Sequence, residues 1–306
     1  MVAAEREGIG LNVIESFDQP WKRKLEGTVG GHWGLLGGDR SPKFSLQGPV
    51  SGEPEWFLLF ALSSGLAALM LVPAVRRGKR LSAVRWLCLA VAAAIAAALL
   101  AQGLRDGFDG SRTLWDWLVL AIRSITGVAA VALMLEALAV AAASPMPQPI
   151  AALLGAVQSR RWPVGAWRDT ALGVLRAVAL FDAATSTLCL LFDPRYRDFS
   201  TALLAVPACA FLLLTLAGRY WRGRDGMPDA DLREERLLAV VLTLAGIAVA
   251  VLEGAANHQA LAWGATAVLF ALAILLDRRG KGAAANHRRN SVIAPSSAPP
   301  AASSGP

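Results

Sequence analysis

The sequence predicts a mainly α-helical protein, a polytopic membrane bundle of about seven transmembrane helices, and three observations carry that prediction. Hydrophobic residues make up 55% of the 306 residues against 17% charged, and the mean hydropathy is +0.46. That apolar share exceeds what an ordinary soluble domain uses. Apolar runs long enough to cross a hydrocarbon core of ~30 Å recur seven times. The connections between them alternate strictly between rich and poor in Lys and Arg, as the cytoplasmic preference of basic residues demands.

In chain order the expected spans are residues 56–75, 83–104, 114–141, 170–192, 199–217, 237–254 and 259–276. The first, second, fifth and seventh contain no Asp, Glu or His, and only Arg85 intrudes among them, near an end. The third and fourth carry Arg123, Glu136, Arg176 and Asp182. A charge at the bilayer centre costs at least ~2.5 kcal/mol, so such groups are expected to pair. Spans three and four run in opposite directions, which predicts two cross-helix pairs, Glu136 with Arg176 and Arg123 with Asp182. Holding the two helices together is favoured over lining a polar path for a glucan or lipid-linked sugar. Glu253, Asn257 and His258 form a second polar group at the end of span six, read as interfacial and not as a metal or proton site.

The basic-rich connections are the first (Arg76, Arg77, Lys79, Arg80, Arg85), the third (Arg160, Arg161, Arg168) and the fifth (Arg219, Arg222, Arg224, Arg233, Arg236). The tail adds Arg278, Arg279, Lys281, Arg288 and Arg289. The second connection has only Arg105 and Arg112, the fourth Arg195 and Arg197, and the sixth none. This pattern places the amino terminus outside and the carboxyl terminus in the cytoplasm. It also accounts for the net charge of +7: the basic residues flank apolar runs, so the expected partner is a lipid bilayer and no nucleic acid.

Trp56, Trp86, Trp115, Trp117, Trp162, Trp167, Trp221 and Trp263 fall near span ends, as in an interfacial aromatic belt. The apolar patch 150–157 is too short to span and is expected to lie as a helix in the cytoplasmic interface. Cys88, Cys189 and Cys209 sit inside apolar spans and are read as small buried hydrophobes, without a disulfide or metal framework. Residues 46–55 read as a linker, being rich in Gly, Pro and Ser together with the positions before them. The polar tail 278–306 has too little apolar surface to repay ordering and is expected to be disordered. No phosphate-binding Gly-rich loop, HExxH, CxxC, or DxD with a Gln-x-x-Arg-Trp pattern is present, so neither a cofactor nor a nucleotide-sugar synthase domain is expected.

Residues 1–45 differ from the rest. Glu15, Phe17, Asp18-Gln19-Pro20-Trp21-Lys22, Glu26 and Gly30-Gly31-His32-Trp33-Gly34-Leu35 form a run that resembles bacterial family 17 glycoside hydrolase proteins of the β-(1-6) glucan synthase type. In those proteins a periplasmic (β/α)8 barrel precedes a hydrophobic half. The resemblance implies that residues 1–45 are the last strand and following loop of such a barrel, and on local grounds Val13, Ile14 and Phe17 read as a short strand and the rest as a surface loop. It further implies that Asp18, Trp21, Lys22, Glu26 and Trp33 belong to a sugar cleft. A barrel of this kind needs about 250 residues, and its two catalytic carboxyl groups sit on earlier strands, so none is expected in this chain. The segment shows no apolar signal-peptide region, and Met1 is read as an internal methionine or a truncated start.

The expected function is thus that of the membrane-embedded, carboxyl-terminal portion of a periplasmic β-glucan synthase or transglycosylase, processing β-1,3-glucan with β-1,6 branching. On this reading it resides in the bacterial inner membrane, with β-glucan or an oligosaccharide, and glucan synthesis or export proteins, as partners. The alternative is a free-standing multi-span membrane protein that binds or moves a glucan or lipid-linked sugar.

Overall fold

The computed structural model describes residues 6–10, 12, 14–26, 30–43, 55–78, 81–111, 113–140, 146–160, 162, 166–192, 197–222 and 231–277. The expected linker, apart from Glu55, and the expected tail 278–306 lie outside the described residues, as does Val13. Eight helices of nine residues or more occur among the described residues: α1 Trp56–Arg77, α2 Ala83–Gly110, α3 Leu114–Val140, α4 Ile150–Gln158, α5 Trp167–Phe192, α6 Thr201–Arg222, α7 Arg233–Glu253 and α8 His258–Leu275. All but α4 are long and apolar enough to cross a membrane. The chain is a multi-span membrane protein with seven candidate spans.

Local chemistry sets several helix boundaries. Ser82 caps α2 by accepting the Arg85 N–H. The helix then runs past the expected end at Leu104, because Gln102 donates to Asp106 one turn on, at 3.1 Å, and Ser111 closes it by donating to the Gly107 carbonyl. Between α7 and α8 the chain turns within a few residues. Gly254 adopts a left-handed φ of 79° that a side chain would oppose, and the Asn257 side chain caps α8 by accepting the Gln259 and Ala260 N–H groups.

The helices form two groups. α1, α2 and α3 pack on one another; α7 and α8 form a hairpin that leans on α5 and α6; α3 and α6 join the two halves. Only 11% of the apolar window of α1 is buried against 50% of that of α6, so α1 is peripheral and α6 central. Leu100, Leu135, Leu172, Leu180, Leu204, Phe211 and Phe270 fill the interior. Lipid offers no hydrophobic drive for helices to associate, and close backbone approach through small residues substitutes for it. α7 and α8 use this at Gly246, where a Cβ would lie 2.7 Å from the Ala267 Cβ.

Two ends of the bundle are distinct. The described residues of 14–43 sit on the end formed by the carboxyl-terminal end of α2 and the amino-terminal end of α6, called here the module end. The opposite end holds α4, whose Leu153 and Ala156 are buried while Leu154 and Val157 are exposed.

Three expectations change. No strand forms among the described residues of 14–43; Phe17 makes an isolated bridge to Leu36, and Leu36 another to Pro42. A barrel strand is stable only with paired neighbours. Here Pro20, which lacks an N–H, turns the chain at once into a helical turn, Pro20–Lys22 and then Arg23–Glu26, and Ile14 is 89% exposed. The three cysteines are exposed on helix surfaces and are not interior packing groups. Trp263 is not an interfacial anchor: it is buried, tilted against Phe199, and donates from its indole to Thr187 Oγ1 at 3.0 Å.

Candidate functional site

Two sets of polar residues organise the molecule, one in the amino-terminal module and one within the bundle. The module is built around Asp18. Its Oδ1 accepts the Gly34 N–H at 2.9 Å and pairs with Lys43 Nζ at 2.6 Å, while His32 Nδ1 stands 3.5 Å from Oδ2. Backbone bonds add to this, with Asp18 N–H donating to the Leu36 carbonyl and Gln19 N–H to that of Gly31. Glycine is obligatory at 34, since a Cβ there would lie 2.1 Å from the Phe17 carbonyl carbon.

Asp18, expected in a sugar cleft, is therefore buried, with its Oδ1 taken by Gly34 and Lys43. Trp21 and Trp33 are 40% and 60% exposed. Lys22 pairs with Glu15 and not with Glu26. Its pKa is raised above the usual lysine value, first by that hydrogen bond and then by the charges of Glu15 and Glu26, against the opposing effect of desolvation. Glu26 is half-buried, and its Oε2 has no hydrogen-bond partner among the described residues.

Arg23 fastens the module to the bundle, donating to Asp198 Oδ1 at 2.9 Å and to the Asp106 carbonyl at 3.3 Å. Sequence reasoning missed it, because Arg23 stands in a Lys-Arg-Lys run that reads as solvated. Asp198 on the basic-poor fourth connection was the available signal; the Asp106 contact is to a backbone carbonyl, which no side chain announces.

Within the bundle Arg123 on α3 meets Asp182 on α5 as a fork: Nε to Oδ2 at 2.7 Å and Nη2 to Oδ1 at 2.8 Å. Ser186 accepts from the same Nη2 at 2.7 Å. Two parallel charge-assisted bonds are the strongest form of such a contact.

Glu136 and Arg176 do not pair, which corrects the expected partnership. Glu136, buried near the end of α3, receives Arg77 Nη1 from α1 and Arg168 Nε from α5, each at 3.1 Å. Arg176 faces the other way, donating to Asp277 Oδ2 at 2.9 Å, Glu235 Oε1 at 3.3 Å and the Gln148 carbonyl at 3.4 Å. Helical rise explains the difference. Glu136 lies 13 residues beyond Arg123, about 20 Å along α3. In antiparallel register that height on α5 falls near Arg168, 14 residues before Asp182, and well past Arg176.

Glu235 is fully buried and also accepts the Ile150 N–H at 2.7 Å. Together with Asp169, which takes the Met146 N–H, it seats the segment 146–150 across the end of the bundle. Gly173 makes room for it, since a Cβ there would come within 2.7 to 2.9 Å of Gln148.

Glu253 is held by Arg197 and by Asn257, whose amide donates at 2.7 Å. His258 is exposed in the first turn of α8. No group of three or more His, Cys, Asp or Glu among the described residues is placed to hold a metal ion.

Comparison of the chain with protein-family models, with characterised proteins and with solved structures finds no match. The family resemblance of residues 12–35 rests on those residues alone.

Proposed function

We propose that the chain is the membrane-embedded portion of a bacterial β-glucan synthase or transglycosylase, with the module end on the periplasmic side and the carboxyl terminus in the cytoplasm. One observation carries the reading. The segment bearing the family resemblance is a folded unit, clamped through Arg23 to the end of the bundle whose connections are poor in Lys and Arg.

The module supplies sugar contacts and no bond cleavage. Trp21 and Trp33 present apolar ring faces at the surface, the kind of platform on which a glucose ring rests, and Lys22 and Glu26 add polar groups beside them. Retaining glycoside hydrolysis needs two carboxyl groups roughly 5 to 5.5 Å apart, one free to attack and one to protonate. Asp18 and Glu15 are instead tied to Lys43 and Lys22. The intramembrane charges pair with one another, which favours helix fastening over a polar path for a sugar.

Laminari-oligosaccharide titration of the purified protein, read by tryptophan fluorescence, tests this. Saturable quenching that disappears in the Trp21→Ala, Trp33→Ala double variant, without turnover, is the expected result. Identical responses of variant and wild type, or hydrolysis of the oligosaccharide by the chain, would overturn it.

A further inference from the structure

We propose that the basic group where the ends of α1, α3 and α5 meet, opposite the module, binds the phosphate of an anionic lipid. Two guanidinium groups, Arg77 and Arg168, converge there on the single carboxylate of Glu136, leaving one positive charge in excess. Glu136 is 3% exposed, whereas the Arg77 side chain is 50% exposed and that of Arg168 21%. The uncompensated charge therefore lies on the accessible side of the group.

The geometry leaves donors for a ligand. Among the described residues Arg77 uses Nη1 and Arg168 uses Nε toward Glu136, and each guanidinium carries five N–H groups in a planar fork suited to phosphate oxygens. The Arg168 guanidinium is held in place by stacking on Trp167 at 4.5 Å. The basic group also lies at the amino terminus of α5, whose dipole favours an anion. Asp169 in that first turn accepts the Met146 N–H at 2.8 Å and keeps its negative charge, so a third basic group is needed to make the site positive. Arg76 is a further exposed basic neighbour on α1.

The depth fits a lipid headgroup. Arg77 is the last residue of α1 and Arg168 the second of α5, so both stand where spanning helices leave the hydrocarbon, and Trp167 is 56% exposed beside them. On α1 the exposed Leu69 lies about two turns before Arg77 on the adjoining face, an apolar surface along which an acyl chain can lie. Basic clefts between spanning helices recognise anionic headgroups by this combination.

Titration of delipidated, detergent-purified protein with dioleoylphosphatidylglycerol or dioleoylphosphatidylcholine, read by native mass spectrometry, tests the site. Phosphatidylglycerol is expected to be retained in preference to phosphatidylcholine. Arg77→Gln, which leaves Arg168 on Glu136, should lower that affinity about fivefold. Glu136→Gln, which removes the internal anion and keeps both arginines, should preserve or strengthen it. Equal retention of the two lipids, an unchanged affinity in Arg77→Gln, or loss of binding in a folded Glu136→Gln would overturn the proposal. Displacement of the lipid by equimolar inorganic phosphate would do so too, by assigning the basic group to a soluble anion.

Discussion

Glu235, in the first turn of α7, caps α4 from 85 residues away, its Oε1 accepting the Ile150 N–H at 2.7 Å. The residue at the cap position itself is Pro149, which provides no side-chain acceptor. The first N–H groups of a helix need a partner and favour a nearby negative charge, and here a tertiary contact supplies both. The same oxygen receives Arg176, so one carboxylate joins α4, α5 and α7.

Glu235→Ala should therefore be among the most damaging single changes, costing about 3 to 5 kcal/mol, because Arg176 is left buried with one carboxylate partner fewer. Glu235→Gln keeps an acceptor for Ile150 and should cost less. Thermal unfolding in detergent ranks the two, and hydrogen exchange at the Ile150 amide should accelerate only in the alanine variant.

Asp182→Asn should weaken the hold of α3 on α5. The side chains of Arg123 and Asp182 remain 14% and 19% exposed, so the cost should be lower than for a fully buried pair, about 1 to 3 kcal/mol. A double-mutant cycle with Arg123→Gln should give a coupling energy well above zero. Additive effects would show that the fork is not what holds the helices.

Gly173→Leu should expel the segment that crosses α5. Its side chain would start inside the space of the Gln148 backbone, and overpacking of this kind costs about 1 to 3 kcal/mol. The measurable outcome is faster proteolysis around residues 146–149 while the spanning helices stay intact.

The Lys22–Glu15 pair gives the module an alkaline limit. The folded-state pKa of Lys22 stands above its usual 10.5, chiefly because Glu15 accepts its hydrogen bond. A raised lysine pKa contributes stability that is complete below the usual value and lost as pH rises through the folded one. Glu15→Gln should return the Lys22 titration, followed by NMR of its ammonium group, toward 10.5 and remove that dependence.

Period and length made the seven spans legible, because a membrane fixes how many apolar residues a helix needs. The Arg123 to Asp182 contact was readable for the same reason, as two opposite charges cannot stay apart in hydrocarbon. Partner choice for Glu136 was not read, although helical rise measured from Arg123 points to Arg168. The bonds of Arg176 were less accessible, since Glu235 lies within a solvated-looking Arg-Glu-Glu-Arg run and Asp277 just past the last helix. In the module, the run of residue types drew attention to Asp18 as a ligand contact. The structure makes it the internal fastening of a loop, a role set by the Gly34 N–H and by Lys43.

The partners of Arg176 bear on how the protein is made. Glu235 and Asp277 follow it by 59 and 101 residues, so α5 leaves the ribosome before these two carboxylate partners have been synthesised. Until then the helix must wait at the insertion machinery or in a hydrated position, and the final arrangement becomes available only when the last span has been translated. Assembly is thus ordered in time by the chain itself, with the carboxyl-terminal hairpin as the step that commits the earlier helices.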